Sequence, residues 1–523
     1  MTCRCSVLAV AGALLAVLWV AAPAGAASSG AGLYLRGAGN GHGVGMSQYG
    51  AAGYALHGAG YREILHDYYA GTTIGHVDPT RTVTVLLRSA GSAVFSGATT
   101  IKGAKLKLNP LWNYNVVPAG ARLRVLLGRK LIGKFGAPLQ IAAPTPLKLN
   151  GLGSFRGALV FRPSPGGKGV MTVNAVGLDD YVDGVVSAEM PPSWPTQALE
   201  AQAVAARTYA ISSRPIGAIF DVYDSVRSQV YEGVKGETPT GDAAVTATSG
   251  QVVDYAGVPV ETLFFASSGG ETESVQNVFS LTPEAWLVGR PDPYDESLNN
   301  PYHRWKLSYS LPAARRRLGK LVDGSLVGIK VLQRGVSPRI IKARVVGTKG
   351  SATVTGIQLR QDLGTPSTWM SFTTVSSHGV QTSTTPTTTL PSTPTGNDTG
   401  TTTTGTTTGV NGGGGLIRAV DQAGGPRAAS GAGLFAEVDR ASSLIEQIFA
   451  ALRLPVTTYA VTGSVFPARA GARVTVQSDG GDGWRTVATG AIGAGGGYSI
   501  DVARRGEYRV RYDGNTGPEI TVG

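Results

Sequence analysis

The sequence predicts an α+β fold in which β-strands predominate. Glycine is abundant, with 74 residues, and only 15% of the residues are charged, a composition that favours strands and turns over long surface helices. Between residues 81 and 186, short alternating or apolar runs are separated by Gly, Pro and Asn, as in successive strands. Helical patterns precede and follow this region. A chain of 523 residues is long enough for several domains.

The N-terminus has the pattern of a secretory signal peptide. Arg4 precedes an apolar run over residues 7–20, and Ala24-Gly25-Ala26 then supplies small residues for cleavage. A membrane anchor is the alternative interpretation, but the apolar run is short for a bilayer span. We therefore assign residues 1–26 to a signal peptide and expect a secreted protein.

Charge and cysteine content limit the partners and the chemistry. The formal net charge of +12 predicts an acidic partner, either nucleic acid or the anionic polymers of a cell wall. Export favours anionic wall polymers, so no nucleic-acid partner is expected. Both cysteines, Cys3 and Cys5, lie within the signal peptide. Their removal would exclude disulfides, thiol nucleophiles and thiolate metal sites from the mature chain.

Residues 27–78 begin with a loop of alternating glycines. Glycine occupies every second position from Gly37 to Gly45, which lets a backbone pass very close to a neighbour or ligand. A dinucleotide-binding loop is not favoured, because no apolar strand precedes these glycines. The loop displays His42 and Gln48, for which hydrogen bonding to the backbone is as good an explanation as ligand binding. Two short helices are predicted over residues 50–69.

The stretch at residues 179–210 is central to the predicted β-rich domain, residues 79–372. It is interpreted as a short strand, a turn in which Glu189 precedes two prolines, and an alanine-rich helix. Small residues on nearly every face of that helix predict close packing on several sides. Arg207 within it requires a carboxylate or a ligand group if it is buried. The spacing leaves a structural ion pair and a ligand contact equally open.

The rest of this domain is predicted to alternate helices, strands and polar loops. Residues 229–231 are expected to form a strand-like piece, and residues 251–265 a hairpin. The loop at residues 266–274 carries serines and glycines that suit a sugar or an oxyanion, although an ordinary loop has the same composition. Helix is expected at residues 242–249 and 315–324, followed by two strands and a helix over residues 340–364.

The C-terminal third changes character twice. Residues 373–430 are rich in Thr, Pro and Gly and are predicted to be a disordered linker. Residues 431–455 carry apolar residues at helical spacing and predict an amphipathic helix. From residue 456 to residue 523, short strands follow one another about every ten residues, the spacing of a small all-β sandwich. No catalytic grouping is visible in that region.

Several motifs together resemble the SpoIID/LytB family, whose members act on cell-wall peptidoglycan. In the central stretch they are Asp180-Tyr181, Gly184-Val185-Val186, Glu189-Met190-Pro191, Trp194-Pro195 and the run from Ala198 to Tyr209. Further matches are Gln229-Val230-Tyr231, residues 268–273 and residues 364–369. The resemblance covers about residues 33–372 and implies a SpoIID-like catalytic domain.

The glycine-histidine motif of residues 41–51 also matches, but in an unexpected place. In sporulation-type members it follows the Ser-Thr motif near the C-terminus, whereas here it follows the signal peptide. We interpret the domain as circularly permuted, which is physically acceptable if its two ends lie close together. This interpretation predicts that residues 33–73 pack beside residues 354–372 and reach the same groove as Glu189.

The resemblance implies a lytic transglycosylase, which cuts peptidoglycan between N-acetylmuramic acid and N-acetylglucosamine without water. Glu189 matches the family's catalytic glutamate, and apolar neighbours such as Met190 would raise the pKa of its carboxyl. One carboxylate can serve as acid and then as base, because the sugar's own C6 hydroxyl is the nucleophile. Glu273 and Asp180 stay open as a second carboxylate.

The resemblance also implies roles for other residues. Arg207 matches a functionally important arginine and is assigned to a substrate contact or to orienting Glu189. Further candidates for lining the glycan groove are Gln229, Tyr231, Ser267, Ser268, His42, Ser47 and Gln48. No cofactor is expected. No metal is expected either, because Tyr223, Arg227 and Ser228 stand where some relatives have zinc-binding Cys and His.

Two kinds of function stay open at this point. The first is an exported enzyme whose partner is the glycan strand of peptidoglycan. The alternative is a non-catalytic protein of the LytB type, which enhances a cell-wall amidase or binds the wall. The glutamate motif favours the enzyme.

Overall fold

The structure is a computed structural model that describes residues 32–213, 215, 217–279, 282–385 and 456–522. The predicted signal peptide, the predicted amphipathic helix and most of the predicted linker lie outside the described residues. The chain divides into two compact units, the first built from residues up to 376 with residues 465–468, the second from the remaining residues. The predicted β-rich α+β fold is confirmed. None of the helices in the described part of the chain is long and apolar enough to cross a membrane.

The N-terminal segment forms short strands and the two predicted helices. Its elements are β1 (Gly32–Gly37), β2 (Met46–Ser47), α1 (Gln48–Leu56), α2 (Tyr61–Tyr68) and β3 (Thr73–His76). Ser47 caps α1, since its side chain accepts a hydrogen bond from the backbone N–H of Gly50. Ile64, Leu65 and Tyr68 form the buried side of α2, as their helical spacing predicts.

Residues 82–177 form the predicted succession of strands. They are β4 (Thr82–Ala90), β5 (Ala93–Ser96), β6 (Thr100–Ile101), β7 (Tyr114–Ala119), β8 (Arg122–Leu127), β9 (Lys130–Gly136), β10 (Leu139–Ala142), β11 (Leu147–Leu149), β12 (Gly153–Phe155), β13 (Ala158–Pro163) and β14 (Val170–Gly177). One sheet has the order β12-β11-β5-β7-β8-β9, and in the other β14 lies between β4 and β13. Alternate residues of these strands point into one shared apolar core.

The central stretch differs from its prediction, because residues 178–189 are helical rather than extended. Its helices are α3 (Leu178–Glu189) and α4 (Thr196–Ser212). Leu178, Val182 and Val185 recur at helical spacing and are buried together. Two aspartates in the first turn suit the positive end of the helix dipole. The close packing predicted for α4 is confirmed, since nearly every residue from Ala198 to Ala210 is buried.

The remaining elements of the first unit continue this mixture. They are β15 (Val222–Tyr223), α5 (Pro239–Ala247), β16 (Gln251–Tyr255), β17 (Val258–Pro259), β18 (Phe264–Phe265), α6 (Val275–Phe279), β19 (Trp305–Ser310), α7 (Leu311–Leu318), β20 (Leu326–Arg334), β21 (Ile340–Gly347), β22 (Ser351–Thr355), α8 (Gly356–Leu363) and β23 (Met370–Thr385). The predicted hairpin is confirmed by the antiparallel pairing of β16 with β17. Residues 229–231, predicted to be strand-like, are not in a strand.

Strand β1 joins the two ends of the first unit. It pairs antiparallel with β19 on one side and with β23 on the other, where Leu35 lies opposite Phe372. The predicted packing of residues 33–73 beside residues 354–372 is therefore confirmed. Strand β23 continues to Thr385, so regular structure extends into the segment whose composition predicts a linker from residue 373.

The second unit is all-β, as predicted. Its strands are β24 (Val456–Phe466), β25 (Arg473–Asp479), β26 (Trp484–Ala491), β27 (Gly497–Val502), β28 (Gly506–Tyr512) and β29 (Asn515–Val522). One antiparallel sheet has the order β26-β25-β28-β29, and β24 pairs antiparallel with β27. The alternate residues Val474, Val476 and Val510 of the four-stranded sheet are fully buried.

Candidate functional site

Glu189 is the last residue of α3 and lies where the helix has to stop. Pro191 and Pro192 follow it and cannot supply the N–H groups that a continuing helix would need. The side chain is half-buried. Burial raises the pKa of the Glu189 carboxyl above its ordinary value, because a charged carboxylate is poorly solvated there. Hydrogen bonds from Val230 and Gln48 oppose this rise without cancelling it.

Both carboxylate oxygens of Glu189 accept a hydrogen bond. The backbone N–H of Val230 donates to Oε1 over 2.7 Å, and the Gln48 amide donates from Nε2 to Oε2 over 3.3 Å. The second of these contacts joins residues 141 positions apart. The glycine-histidine segment therefore reaches Glu189, as the interpretation of a permuted domain predicts. The permutation itself stays an interpretation.

Gln202 extends this contact into the core. It lies on α4, is fully buried, and its Oε1 is 3.5 Å from the Nε2 of Gln48. Its own Nε2 has no hydrogen-bond partner among the described residues. We call Glu189, Gln48, Gln202 and Val230 the Glu189 cluster. An amide pair with a spare donor can turn to offer either an N–H or an oxygen to its neighbour.

The alternating glycines position Gln48 by allowing close backbone approach. Gly45 has a φ of +76°, and a Cβ at this position would lie 2.0 Å from the backbone oxygen of Leu263. At Gly43 a Cβ would lie 2.3 Å from the Arg339 guanidinium. A larger residue at either position would force the loop, and α1 behind it, away from these neighbours.

Aromatic side chains lie beside the Glu189 cluster. Tyr49 follows Gln48, and its ring centroid is 4.8 Å from that of Trp194 and 6.3 Å from that of Tyr302. All three rings are partly exposed. Rings of this kind offer apolar faces to ligands while their polar groups remain hydrated. Tyr302 is a residue that sequence patterns did not indicate, because it lies in an irregular segment.

A second buried carboxylate, Asp295, was also missed by sequence reasoning. It is fully buried and accepts hydrogen bonds from side chains and from backbone N–H groups. Its donors are the hydroxyls of Ser47 and Ser267, the backbone N–H groups of Ser268 and Gly269, the Asn300 amide and His303 Nδ1. We call this set the Asp295 cluster. Its residues come from separate loops, so no local pattern signals it.

Four candidates, three serines and one histidine, make their hydrogen bonds within the protein. Ser47 and Ser267 are fully buried and bind Asp295. Ser268 is also fully buried, and its hydroxyl accepts from the backbone N–H of Gly270. His42 accepts at Nδ1 from the backbone N–H of Val44 and contacts the Phe264 carbonyl through Nε2. Burial, followed by the charge of Arg339, lowers the pKa of His42 to about 3, so the ring is neutral.

Arg207 does not contact Glu189 or an open surface, which corrects the role assigned to it. Its side chain is fully buried, and its Nε donates to Asp179 over 2.6 Å. The two Nη groups donate to the backbone carbonyls of Gln251 and Val245. Asp179 lies in the first turn of α3, ten residues before Glu189 and therefore about 15 Å away along the helix. The structural ion pair, left open by the sequence, is what the structure contains.

Gln229 and Tyr231 likewise support the fold from within. The Tyr231 hydroxyl donates to Asn174 over 2.7 Å in the buried core. Gln229 is fully buried and donates from Nε2 to the Ala206 carbonyl, while its Oε1 has no partner in the described part of the chain. These two residues flank Val230, so they hold the backbone N–H that binds Glu189.

Of the two carboxylates left open by the sequence, Asp180 is exposed in the first turn of α3, nine residues before Glu189, and Glu273 is used within the protein. Glu273 is buried, and it accepts hydrogen bonds from Ser274, Asn277, Val336 and Ser337. At the position where some relatives have zinc ligands, the Arg227 guanidinium lies 3.5 Å from the Tyr223 ring centroid. Among the described residues no group of three or more His, Cys, Asp and Glu side chains is arranged to hold a metal.

Known proteins are similar to this part of the chain. A family described as SpoIID, stage II sporulation protein, matches residues 166–255, which include α3, α4 and Glu189. An uncharacterized protein of Brachyspira hyodysenteriae is 38% identical over 33% of this chain and 47% of its own length. Stage II sporulation protein D of Bacillus subtilis is 28% identical over 37% of this chain and 59% of its own length.

An amidase enhancer of Bacillus subtilis is also similar, with 35% identity over 24% of this chain and 16% of its own length. The chain spans about half the length of the first curated relatives it matches, from 47% to 59%. The likeness therefore concerns a domain within each protein.

Proposed function

We propose, from the premise that this chain contains a SpoIID-family domain, that it is an exported enzyme that cleaves peptidoglycan glycan strands by lytic transglycosylation. The observation that carries the proposal is the Glu189 carboxyl. It is half-buried with a raised pKa, and its two hydrogen-bond partners, Gln48 and Val230, come from separate parts of the chain. A carboxyl with a raised pKa retains its proton to a higher pH than an exposed glutamate does, which favours its use as the general acid in glycosidic cleavage.

The first step of the proposed reaction is proton donation. Protonated Glu189 gives its proton to the glycosidic oxygen as the bond from this oxygen to the muramic acid C1 breaks. The N–H of Val230 already binds Oε1, so the proton would be held on Oε2, which faces Gln48. The Glu189 carboxylate that results then accepts a hydrogen bond from the Gln48 amide.

The second step returns the proton to Glu189. The C6 hydroxyl of the same muramic acid attacks C1, and Glu189 takes the hydroxyl proton, so the new 1,6-anhydro bond forms without water. No second carboxylate is required, in contrast to most sugar hydrolases. This fits the engagement of Asp295 and Glu273 in hydrogen bonds within the protein.

The Gln48–Gln202 pair would serve both protonation states of Glu189. With the carboxylate, Gln48 donates from Nε2. With the protonated acid, a rotated Gln48 amide accepts from the acid at Oε1, and a rotated Gln202 amide donates to the same oxygen. The Gln202 Nε2, which has no described partner, is the donor that this second arrangement needs.

Digestion of purified glycan strands tests the proposal. We expect mass spectrometry to detect anhydro-muramyl products from the wild-type chain, on strands with or without stem peptides. Glu189→Gln should lower their yield by on the order of 10³-fold. Glu232→Gln is a matched control, since Glu232 is an exposed carboxylate two residues beyond Val230. Intact glycan after incubation with well-folded wild-type protein on both substrates would refute the enzyme.

The amidase enhancer among the relatives supports one alternative, a non-catalytic protein that stimulates a cell-wall amidase. The wild-type and Glu189→Gln proteins also distinguish this enhancer from the enzyme. Stimulation of a purified wall amidase that persists in Glu189→Gln, without anhydro products from the wild type, would favour the enhancer. Secretion, wall association and the anionic wall polymers as partners belong to the proposal in either case.

A further inference from the structure

The second unit contains an arginine-rich pocket that the proposed reaction does not use. The pocket has a volume of about 490 Å³ and is lined by residues of the second unit alone. Arg504 and Arg505 lie in the turn between β27 and β28, and Arg485 lies on β26. All seven basic residues between positions 456 and 522 are arginines, and three of them meet here. We call this the arginine pocket.

Hydrogen bonds fix the turn that carries Arg504 and Arg505. The Tyr508 hydroxyl donates to the backbone oxygen of Arg504 over 2.5 Å and so fixes the turn. Arg505 donates from Nε to the Tyr459 hydroxyl over 2.9 Å, which leaves its Nη groups for a ligand. Arg485 pairs with Asp482 at 3.8 Å with both side chains largely exposed, a weak contact that an anion can displace.

The lining favours a phosphate-bearing ligand with hydroxyl groups. Arginine presents a planar fork of donors that matches phosphate oxygens, and it keeps its charge in every relevant condition. Ser478 and Asp501 also line the pocket. A lone carboxylate among arginines opposes a bare anion but accepts hydrogen bonds from hydroxyls. A volume of about 490 Å³ lies in the range of small-molecule sites.

The lining disfavours nucleic acid, because it offers no face on which a base can stack. Sequence-tolerant binding of single strands uses exposed aromatic side chains as stacking platforms. Tyr508 is only 3% exposed. The Trp484 ring is covered by the Arg509 guanidinium at 4.3 Å.

We propose that the arginine pocket binds a phosphodiester polymer with a polyol or sugar backbone, of the kind present in cell walls. The choice of a wall polymer rests on the exported location in the proposed function. The affinity for phosphodiesters rests only on the arginines that line the pocket. The pocket would hold the chain on the wall while the first unit acts on glycan.

Binding of the full chain to immobilised poly(glycerol phosphate) tests this inference. We expect the double variant Arg504→Ala/Arg505→Ala to bind at least about tenfold more weakly, since two charge-assisted contacts are lost. The matched control is Arg473→Ala/Arg511→Ala, which removes the same charge from exposed positions outside the pocket and should bind like the wild type. The salt dependence of binding should become shallower by about one to two ion equivalents only in the pocket variant.

Further variants and ligands show whether charge, the planar shape of the guanidinium or a loss of folding explains weaker binding. Arg504→Lys/Arg505→Lys retains the charge and the turn but loses the planar forks, so it should bind more weakly than wild type with an unchanged Tm. Equal losses in the pocket and control doubles would overturn the inference, because bulk charge would then explain binding. Tighter binding to polyglucuronate or to single-stranded DNA would overturn it as well. Glu189→Gln should bind normally, so a failure here is distinguishable from a failure of the proposed enzyme.

Discussion

The Glu189 cluster and the Asp295 cluster each surround a carboxylate of the first unit, but the two carboxylates differ in burial and in hydrogen bonding. Asp295 is fully buried and accepts hydrogen bonds from donors on several loops. Glu189 is half-buried and has one donor on each oxygen, one of them a long contact. A carboxylate with every site occupied stabilises a fold. A carboxylate that has a raised pKa and can accept further hydrogen bonds is able to exchange a proton.

The largest contrast between the clusters should come from removing the charge of Glu189. Glu189→Gln should lower glycan cleavage by on the order of 10³-fold, the usual contribution of a general acid–base group. It should leave the free energy of unfolding at neutral pH equal or slightly higher, because an incompletely solvated carboxylate is removed. Cleavage assays and chemical denaturation measure the two effects. A large loss of stability would mean that Glu189 is a structural carboxylate like Asp295.

Arg207 provides the next test, because from α4 it binds Asp179 at the far end of the helix that carries Glu189. Arg207→Met should lower the free energy of unfolding by about 4 kcal/mol, the usual cost of breaking a buried ion pair. Cleavage per folded molecule, measured at a temperature where the variant is folded, should change little. A selective loss of cleavage with normal stability would restore the role that resemblance assigned to this arginine.

Asp295→Asn should have the third largest effect, this time on stability alone. The amide cannot accept from all the donors that meet at this carboxylate, so we expect the free energy of unfolding to fall by about 3 kcal/mol. The neighbouring Glu296→Gln is the control, since the Glu296 side chain is 75% exposed and should lose almost nothing. Equal Tm values for the two variants would show that the Asp295 cluster does not hold the loops together.

Gln202→Met should produce a smaller effect, on rate rather than on folding. The substitution removes the amide that supports Gln48, and we expect cleavage to fall about tenfold, as for a residue that acts through another. The free energy of unfolding should stay nearly unchanged, since the Gln202 Nε2 forms no described hydrogen bond. The decisive readout is the pH profile, whose midpoint should move if Gln202 influences the protonation of Glu189. A lower rate with an unmoved profile would indicate a packing role.

The smallest expected effect is the pH dependence of stability that Glu189 contributes. Its pKa is raised in the folded state, so the folded protein binds more protons than the unfolded chain does. This stabilising contribution is present below the unfolded pKa of about 4.3 and is lost as the pH rises through the folded pKa. Glu189→Gln should therefore gain stability relative to the wild type between acid and neutral pH. A constant difference across that range would contradict a raised pKa.

Asp292 complicates that measurement and has to be removed first. Burial, followed by the charge of Asp295, raises the pKa of Asp292 to about 7, which has the same sign and covers the same pH range. Burial, followed by the charge of Asp242, likewise raises the pKa of Asp183 to about 7. The variants with and without Glu189→Gln are therefore compared in an Asp183→Asn/Asp292→Asn background.

Sequence patterns predicted the parts of the fold that repeat regularly, and missed those that depend on distant contacts. The strands between residues 82 and 177 and the buried side of α2 follow from local periodicity. Helix α3 did not, because its short run of Val and Tyr suits a strand equally well, and tertiary packing decided for helix. The Asp295 cluster is assembled from loops with no period at all.

The candidate site was predicted only where a long motif carried it. Glu189 and Gln48 came from motifs, and the structure brings them into contact. Arg207 shows the opposite case. Spacing alone could not distinguish an ion pair from a ligand contact, since both satisfy a buried guanidinium, and the position of Asp179 decided between them.

The pairing of β1 with β23 has a consequence for how this protein is made. Gly32 to Gly37, near the start of the chain, find their partners at residues 305–310 and 370–375. During synthesis the N-terminal segment emerges first and must wait for more than three hundred residues before its sheet can close. Gln48, the first residue of α1, belongs to the same segment, and the strand before it, β2, pairs with Phe264 and Phe265. Its contact with Glu189 would therefore be fixed only after those later residues have been made. The candidate site would therefore stay incomplete in the nascent chain, and the proposed enzyme would be inactive until these segments have been made.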